Sequence, residues 1–154
     1  MKTYAFKNGH IIHNGVELTH FSKDDDAIMI ERREDGASDE IGADGFMMTS
    51  ISADRSGKVT LKFQQTSPSN SYLMKQYQLQ ENGASSFIPS NLLYQDTNRQ
   101  DRASCINGYI LKPAPIKRGP KGAVQEWSFV FEVVSQQFGD PNFVGLATAV
   151  AETV

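Results

Sequence analysis

Three histidines near the start of the chain, His10, His13 and His20, are the first side chains that could do chemistry, as metal ligands or proton carriers. His10 and His13 stand an odd number of positions apart, so on one strand they point to opposite faces. His20 falls near the other end of the same hairpin. No shared ligand sphere follows, and the three are read as solvated hairpin residues rather than a metal site. Asp35, Asp39, Glu40 and Asp44 crowd one stretch, yet they lack the glycine at position six and the bidentate Glu at twelve of a calcium loop. Gly42-Ala43-Asp44-Gly45 and Gly119-Pro120-Lys121-Gly122 have neither the spacing nor the Lys-Ser/Thr of a phosphate loop. The single cysteine, Cys105, alternates with Asn107 and Tyr109 on a strand and reads as a buried structural residue. With no nucleophile elbow either, the sequence implies no catalytic residue, metal or cofactor.

The elements that carry these residues are mostly short strands divided by turn residues. Asn14-Gly15, the preferred pair for a tight type I′ turn, separates Gly9–His13 from Val16–Thr19. That loop pairs His13 with Val16 and Ile11 with Leu18 on one face. A strand over Ala27–Glu34 follows the acidic turn Asp24-Asp25-Asp26. Then comes a polar, glycine-bearing stretch, Asp35–Gly45, read as a long loop. Phe46–Ala53 and Lys58–Gln65 read as two consecutive strands joined at Asp54-Arg55-Ser56-Gly57. In the second, Val59, Leu61 and Phe63 alternate with Thr60, Lys62 and Gln64. One helix is expected, over about residues 68–82: Ser67 is its N-cap, Pro68 its first residue, and Gly83 its C-terminal stop. Strands resume at Phe87–Tyr94 and Ala103–Leu111. A connection rich in Pro and Gly, with Lys112, Lys117, Arg118 and Lys121, leads to Gln125–Val134. There Trp127, Phe129, Phe131 and Val133 form the heaviest apolar face in the chain. The fold class expected is mainly β, a sandwich or barrel with one flanking helix. Its core is Val59, Leu61, Phe63, Trp127, Phe129 and Phe131, covered by Tyr72, Leu73 and Tyr77.

Composition limits the rest. The 154 residues are 39% hydrophobic and 21% charged, enough for one domain with a core of its own. No linker divides the chain, so residues 1–154 read as one domain, with 139–154 as a C-terminal extension rich in small residues. A net charge of -3 argues against a protein that grips nucleic-acid backbones. One cysteine permits neither an internal disulfide nor a cysteine-rich zinc site. The longest weakly polar run, Asn142–Ala151, is short of the roughly 20 residues of a membrane helix, so no membrane anchor is expected. These features suit a soluble protein made in a reducing cytoplasm.

Against this background several segments carry a family resemblance. They are Ile30-Glu31-Arg32-Arg33-Glu34-Asp35, Gly42-Ala43-Asp44-Gly45, and Ser52-Ala53-Asp54-Arg55-Ser56-Gly57 running on to Asn70, with Gly108-Tyr109-Ile110 and Gln125-Glu126-Trp127 later. The chain resembles the tail-tube proteins of contractile-tailed bacteriophages over nearly its whole length, most specifically from Ile30 to Leu73. The resemblance implies hexameric rings stacked into a hollow tube, each subunit giving strands to an inner barrel with a helix outside. It further implies a contractile sheath, tape-measure and baseplate or terminator proteins as partners. DNA would pass through the lumen without specific binding, in a virion tail assembled in the host cytoplasm. No enzymatic activity goes with it. The inner tube of type VI-like injection systems is a relative by fold. The competing reading is a monomeric β-sandwich that binds a ligand or acts as an adaptor.

Two sites follow for a tube subunit. Asp35–Phe46, with Asp35, Asp39, Glu40, Asp44 and Phe46, exceeds the usual hairpin loop and is the expected ring-stacking loop, which a compact binding module would not need. Ser50, Ser52, Thr60, Lys62 and Gln64 lie on the polar faces of their strands. They are the expected lumen wall, with Glu31 as the neighbour that offsets Lys62.

Overall fold

The computed structural model describes residues 3–139. The first hairpin forms as its turn requires: β1 (Gly9–His13) and β2 (Val16–Leu18) pair His13 with Val16 and Ile11 with Leu18. Asn14 and Gly15 take φ of 48° and 87°, the left-handed pair a type I′ turn demands. Five further strands join β1 and β2 in one antiparallel sheet of order β2-β1-β7-β8-β9-β6-β3. They are β3 (Ile28–Arg32), β6 (Gly57–Gln64), β7 (Ser90–Asp96), β8 (Arg102–Lys112) and β9 (Val124–Gln137).

The sheet curls until its ends meet. Just past β2, Phe21 bridges Phe63 on β6, and the two rings stack with centroids 4.7 Å apart. Ser22 N–H donates to Lys62 O and Gln64 N–H donates to His20 O, both at 2.9 Å. These bonds occupy the part of the β6 edge that β3 leaves free, so little of that edge stays open.

The inside of this curl is the core. Val59, Leu61, Phe63, Leu73, Trp127, Phe129 and Phe131 are all buried in one cluster, with Tyr72 and Tyr77 packed against it. The helix, α1 (Pro68–Glu81), lies over the cluster, capped by the Ser67 hydroxyl, which accepts from Ser69 N–H. Its start is held to the end of β2, where Ser67 Oγ donates to Thr19 O at 2.6 Å and Ser69 Oγ accepts from Thr19 N–H at 2.9 Å. Trp127 Nε1 donates to Asn70 Oδ1 at 3.0 Å. At the far end Gln80 accepts from Ile110 N–H at 3.0 Å and donates to Ile110 O at 2.9 Å. A single side-chain amide thus satisfies both backbone groups of β8 where β7 has ended. Only Ser69 and Leu73 of the helix are fully buried, because polar anchors at its two ends hold it more than an apolar stripe does.

Several sequence expectations change here. Cys105 does not share a face with Asn107 and Tyr109. Between Leu92↔Cys105 and Ser90↔Gly108 the β8 strand holds one residue more than β7, a bulge with Asn107 at φ 55°. Parity flips across it, so Cys105, Gly108 and Ile110 are buried while Tyr109 is exposed. Strand β9 bulges at the same level, because Gly57 pairs with Phe131 while Val134 N–H bonds Arg55 O at 2.8 Å. Val133 therefore turns aside, and Val134 enters the core in its place. Strands β8 and β9 keep register with each other through the bend, pairing Cys105 with Val134 and Gly108 with Phe131. Phe131 so sits between Gly57 and Gly108 on its neighbouring strands, and a Cβ on Gly108 would come within 2.2 Å of the Phe131 ring. The expected strand Phe87–Tyr94 also shifts: Phe87 and Ile88 precede β7 and are exposed.

The largest difference concerns residues 35–53. Asp35–Gly45 is no loop, and Phe46–Ala53 does not join β6 in the main sheet. Instead β4 (Ala37–Ile41) and β5 (Met47–Ile51), among the described residues, pair only with each other, as a second, two-stranded sheet. The expected extension beyond Gly139 lies outside the described residues.

Candidate functional site

The two-stranded sheet is an arm that leaves the body between β3 and β6. Its turn is a short loop in which Gly42 N–H donates to Phe46 O at 2.8 Å and Gly45 N–H donates to Gly42 O at 2.9 Å, with Gly45 at φ 89°. At the base Ser52 N–H donates to Gly36 O at 2.9 Å, so the arm begins and ends at one point of the body. Asp54 is held below the usual carboxylate range by its hydrogen bond with Ser56, and Arg33 and Arg32 add to the effect. Five-residue strands reach roughly 17 Å. Every residue from Glu31 to Arg55 is exposed.

Pairing places Ala37, Asp39 and Ile41 on one face with Ile51, Thr49 and Met47, and Ser38 and Glu40 on the other with Ser50 and Met48. The first face is apolar except for Asp39 and Thr49, and it is bare: Ile51 is 80% exposed, and Phe46 at the tip 76%. A lone two-stranded hairpin is marginal in water and gains stability when a partner covers it. Of the residues expected to form a stacking loop, Asp35 precedes the arm at its base, Asp39 and Glu40 fall on its first strand, and Asp44 and Phe46 at its tip. Sequence reading missed the second strand, Met47–Ile51, as part of the arm. The signal lay in register: Gly42–Gly45 is a turn between two five-residue runs, so the strand after it folds back on the strand before.

The expected lumen wall separates into two places. Thr60, Lys62 and Gln64 point away from the core and helix, opposite Val59, Leu61 and Phe63 on β6. Ser128 and Glu126 on β9 sit beside Thr60 and Lys62 on the same face. Ser50 and Ser52 do not join them: Ser50 pairs with Ser38 in the arm, and Ser52 Oγ accepts from Asp54 N–H at the base of the arm. Lys62 is offset by Asp26, with Nζ–Oδ1 at 2.9 Å, and not by Glu31, which pairs with Lys58 across the strands. That hydrogen bond lowers the Asp26 pKa and raises that of Lys62.

The histidines part as the strand period dictates, with one correction. His10 faces solvent and pairs with Glu17 at 2.8 Å. His13 is not solvated but fully buried, bonded through Nδ1 to Tyr72 Oη at 3.0 Å and through Nε2 to Ser90 Oγ at 2.9 Å. Tyr72 O–H also reaches His13 O at 3.1 Å, so one neutral tautomer satisfies the group: Nδ1–H donates to the tyrosine oxygen and Ser90 donates to Nε2. Burial pushes the His13 pKa down to about 4. It likewise pushes the Cys105 thiol up to about 12. Among the described residues no three His, Cys, Asp or Glu side chains gather as a metal site. A cleft of about 300 Å³ beside β3 is lined by apolar residues such as Phe6, Ile28 and Ile30 together with Asp24, Asp25, Asp101 and Arg102.

The sequence matches the family described as Bacteriophage PhiTE tail tube protein over residues 1–139. The chain belongs to that family. Among curated proteins none is similar enough in sequence to match. Solved structures share the fold at low identity. A sheath/tube terminator of the extracellular contractile injection system PVC, in its extended state, is 12% identical, with a TM-score of 0.65 over 89% of this chain and 98% of its own. The tube-terminating cap of the anti-feeding prophage is 10% identical, with a TM-score of 0.60 over 90% and 93%. A chain of the PVC sheath-tube complex in the extended state is 12% identical, with a TM-score of 0.62 over 88% and 92%. Membership in the tail tube family and this shared fold together support a structural role in a tail tube.

Proposed function

We propose that this protein is the tube subunit of a contractile phage tail, forming hexameric rings that stack into a conduit for the genome. The observation that carries the reading is the arm, a hairpin whose apolar face none of the described residues covers. The arm, from Asp35 through Phe46 to Ile51, makes the contact between rings. Thr60, Lys62 and Gln64 face the lumen, since they point away from the side that the helix covers. Hydroxyls, amides and a lysine already paired with Asp26 make a hydrated wall that offers DNA phosphates little to hold. The sheath, tape-measure and baseplate or terminator proteins are the partners, in a virion tail assembled in the host cytoplasm. The role is structural and asks for no catalysis and no cofactor.

Negative-stain electron microscopy of the purified protein tests the reading. Rings with six-fold symmetry and tubes built from them are expected. A protein that stays a dispersed monomer at every concentration would instead favour a binding or adaptor module.

A further inference from the structure

We propose that the acidic arm of one copy seats on the basic connection between β8 and β9 of a copy in the next ring. This rests on the tube reading above and names the surface that receives the arm. Between Glu34 and Asp54 the chain carries Glu34, Asp35, Asp39, Glu40, Asp44 and Asp54 and no Lys, Arg or His. Between Lys112 and Gln125 it carries Lys112, Lys117, Arg118 and Lys121 and no Asp or Glu. None of these four cations pairs with a carboxylate of the described residues.

Within one copy the two segments leave opposite ends of the sheet. The arm returns to the body at Gly57, which pairs with Phe131, whereas the connection delivers the chain to Val124, which pairs with Gln64. From Val124 to Phe131 the β9 strand spans roughly 23 Å at about 3.3 Å per residue. At that distance exposed charges are screened from each other at physiological salt, so the arm and the connection of one copy do not neutralise each other. A contact between opposite ends of identical chains is head-to-tail, and along a stacking axis such a contact can repeat from ring to ring.

The match extends past charge. The arm presents Ile41, Met47 and Ile51 on one face, and the connection presents Ile116, 83% exposed, between Pro115 and Lys117. The connection is also held in shape before any partner arrives. With its amide oriented to suit both neighbours, the buried Gln125 donates to Pro115 O at 2.7 Å and accepts from Arg118 Nη1 at 2.9 Å. Ala123 N–H donates to Gln65 Oε1 at 3.1 Å. A receiver braced in this way loses less entropy on docking than a free loop. Asp24 and Glu126 line the shallow cleft at its foot together with Lys62, Lys112 and Lys117.

Charge reversal tests the pairing in the full chain. Lys117→Glu/Lys121→Glu and Asp39→Lys/Glu40→Lys alter only exposed side chains, and thermal melting of each variant verifies that it folds. Each pair alone should cut the yield of sedimentable tubes at least tenfold while rings persist. The four substitutions together should restore it, and cysteines placed at Ala43 and Gly119 in a Cys105→Ala background should form disulfides between copies. Wild-type tubes that neither reversal weakens, or a combined variant that does not recover, would overturn the proposed receiver and leave the tube reading standing. Failure of the wild type to form rings or tubes would overturn both.

Discussion

His13 shows how one residue couples packing to pH. Its imidazole is neutral in the fold because burial opposes a charge there, and its pKa falls from 6.5 to about 4. Above pH 6.5 the group is neutral in folded and unfolded chains alike and does not affect stability. As pH falls from 6.5 to about 4 the unfolded chain takes up a proton that the fold refuses, so stability declines. The full loss, reached below both values, is about 3.5 kcal/mol, taking about 1.4 kcal/mol per pKa unit. Denaturant unfolding between pH 7 and pH 4 should show that slope in the wild type and a flatter one in His13→Gln. Sequence spacing put His13 on the face of Ile11 and Leu18 and opposite His10, a sign that it turns inward, but the partners that satisfy it there, Tyr72 and Ser90, arrive from distant elements. Gly108 makes a second test. A Cβ there meets the Phe131 ring, so Gly108→Ala should lower the unfolding free energy by about 1–3 kcal/mol, read as an earlier urea midpoint.

Among elements, the arm and the body should be separable. Ser52 N–H already bonds Gly36 O, so replacing Ala37–Ile51 by an Asn-Gly turn asks nothing new of the body. The melting temperature should move by less than about 3 °C, equivalent to about 1 kcal/mol for a chain of this length. The shortened protein should still form rings and no longer stack them. Tubes of normal length from it, seen by electron microscopy, would remove the arm from the ring contact. The hairpin at Asn14-Gly15, the β6 alternation and the Ser67-Pro68 helix start were legible in sequence because each is a local pattern with one physical solution. The arm was harder to read, because Met47–Ile51 has the composition of any strand and only the Gly42–Gly45 turn before it marks which strand it pairs with. The paired bulges of β8 and β9 were hidden for a similar reason. One extra residue leaves the residue types unchanged and alters only the parity after it, which is how Tyr109 came to be outside and Val134 inside.

For the whole molecule, the sidedness of the sheet decides which surface a tube would turn inward. Thr60→Cys in a Cys105→Ala background should react with a small thiol reagent in intact tubes and resist a bulky one, while dissociated subunits react with both. Equal labelling of intact tubes by the two reagents would place that face outside. The native thiol is buried and, with its pKa pushed up to about 12, unreactive at neutral pH, so labelling reports position 60 in either background. The opposite placement of arm and basic connection gives such a tube a direction. One terminus would show a crown of uncovered acidic hairpins, the other a rim of unsatisfied lysines. Growth at the two would then proceed by different encounters, and a protein shaped to stop one terminus would have no purchase on the other.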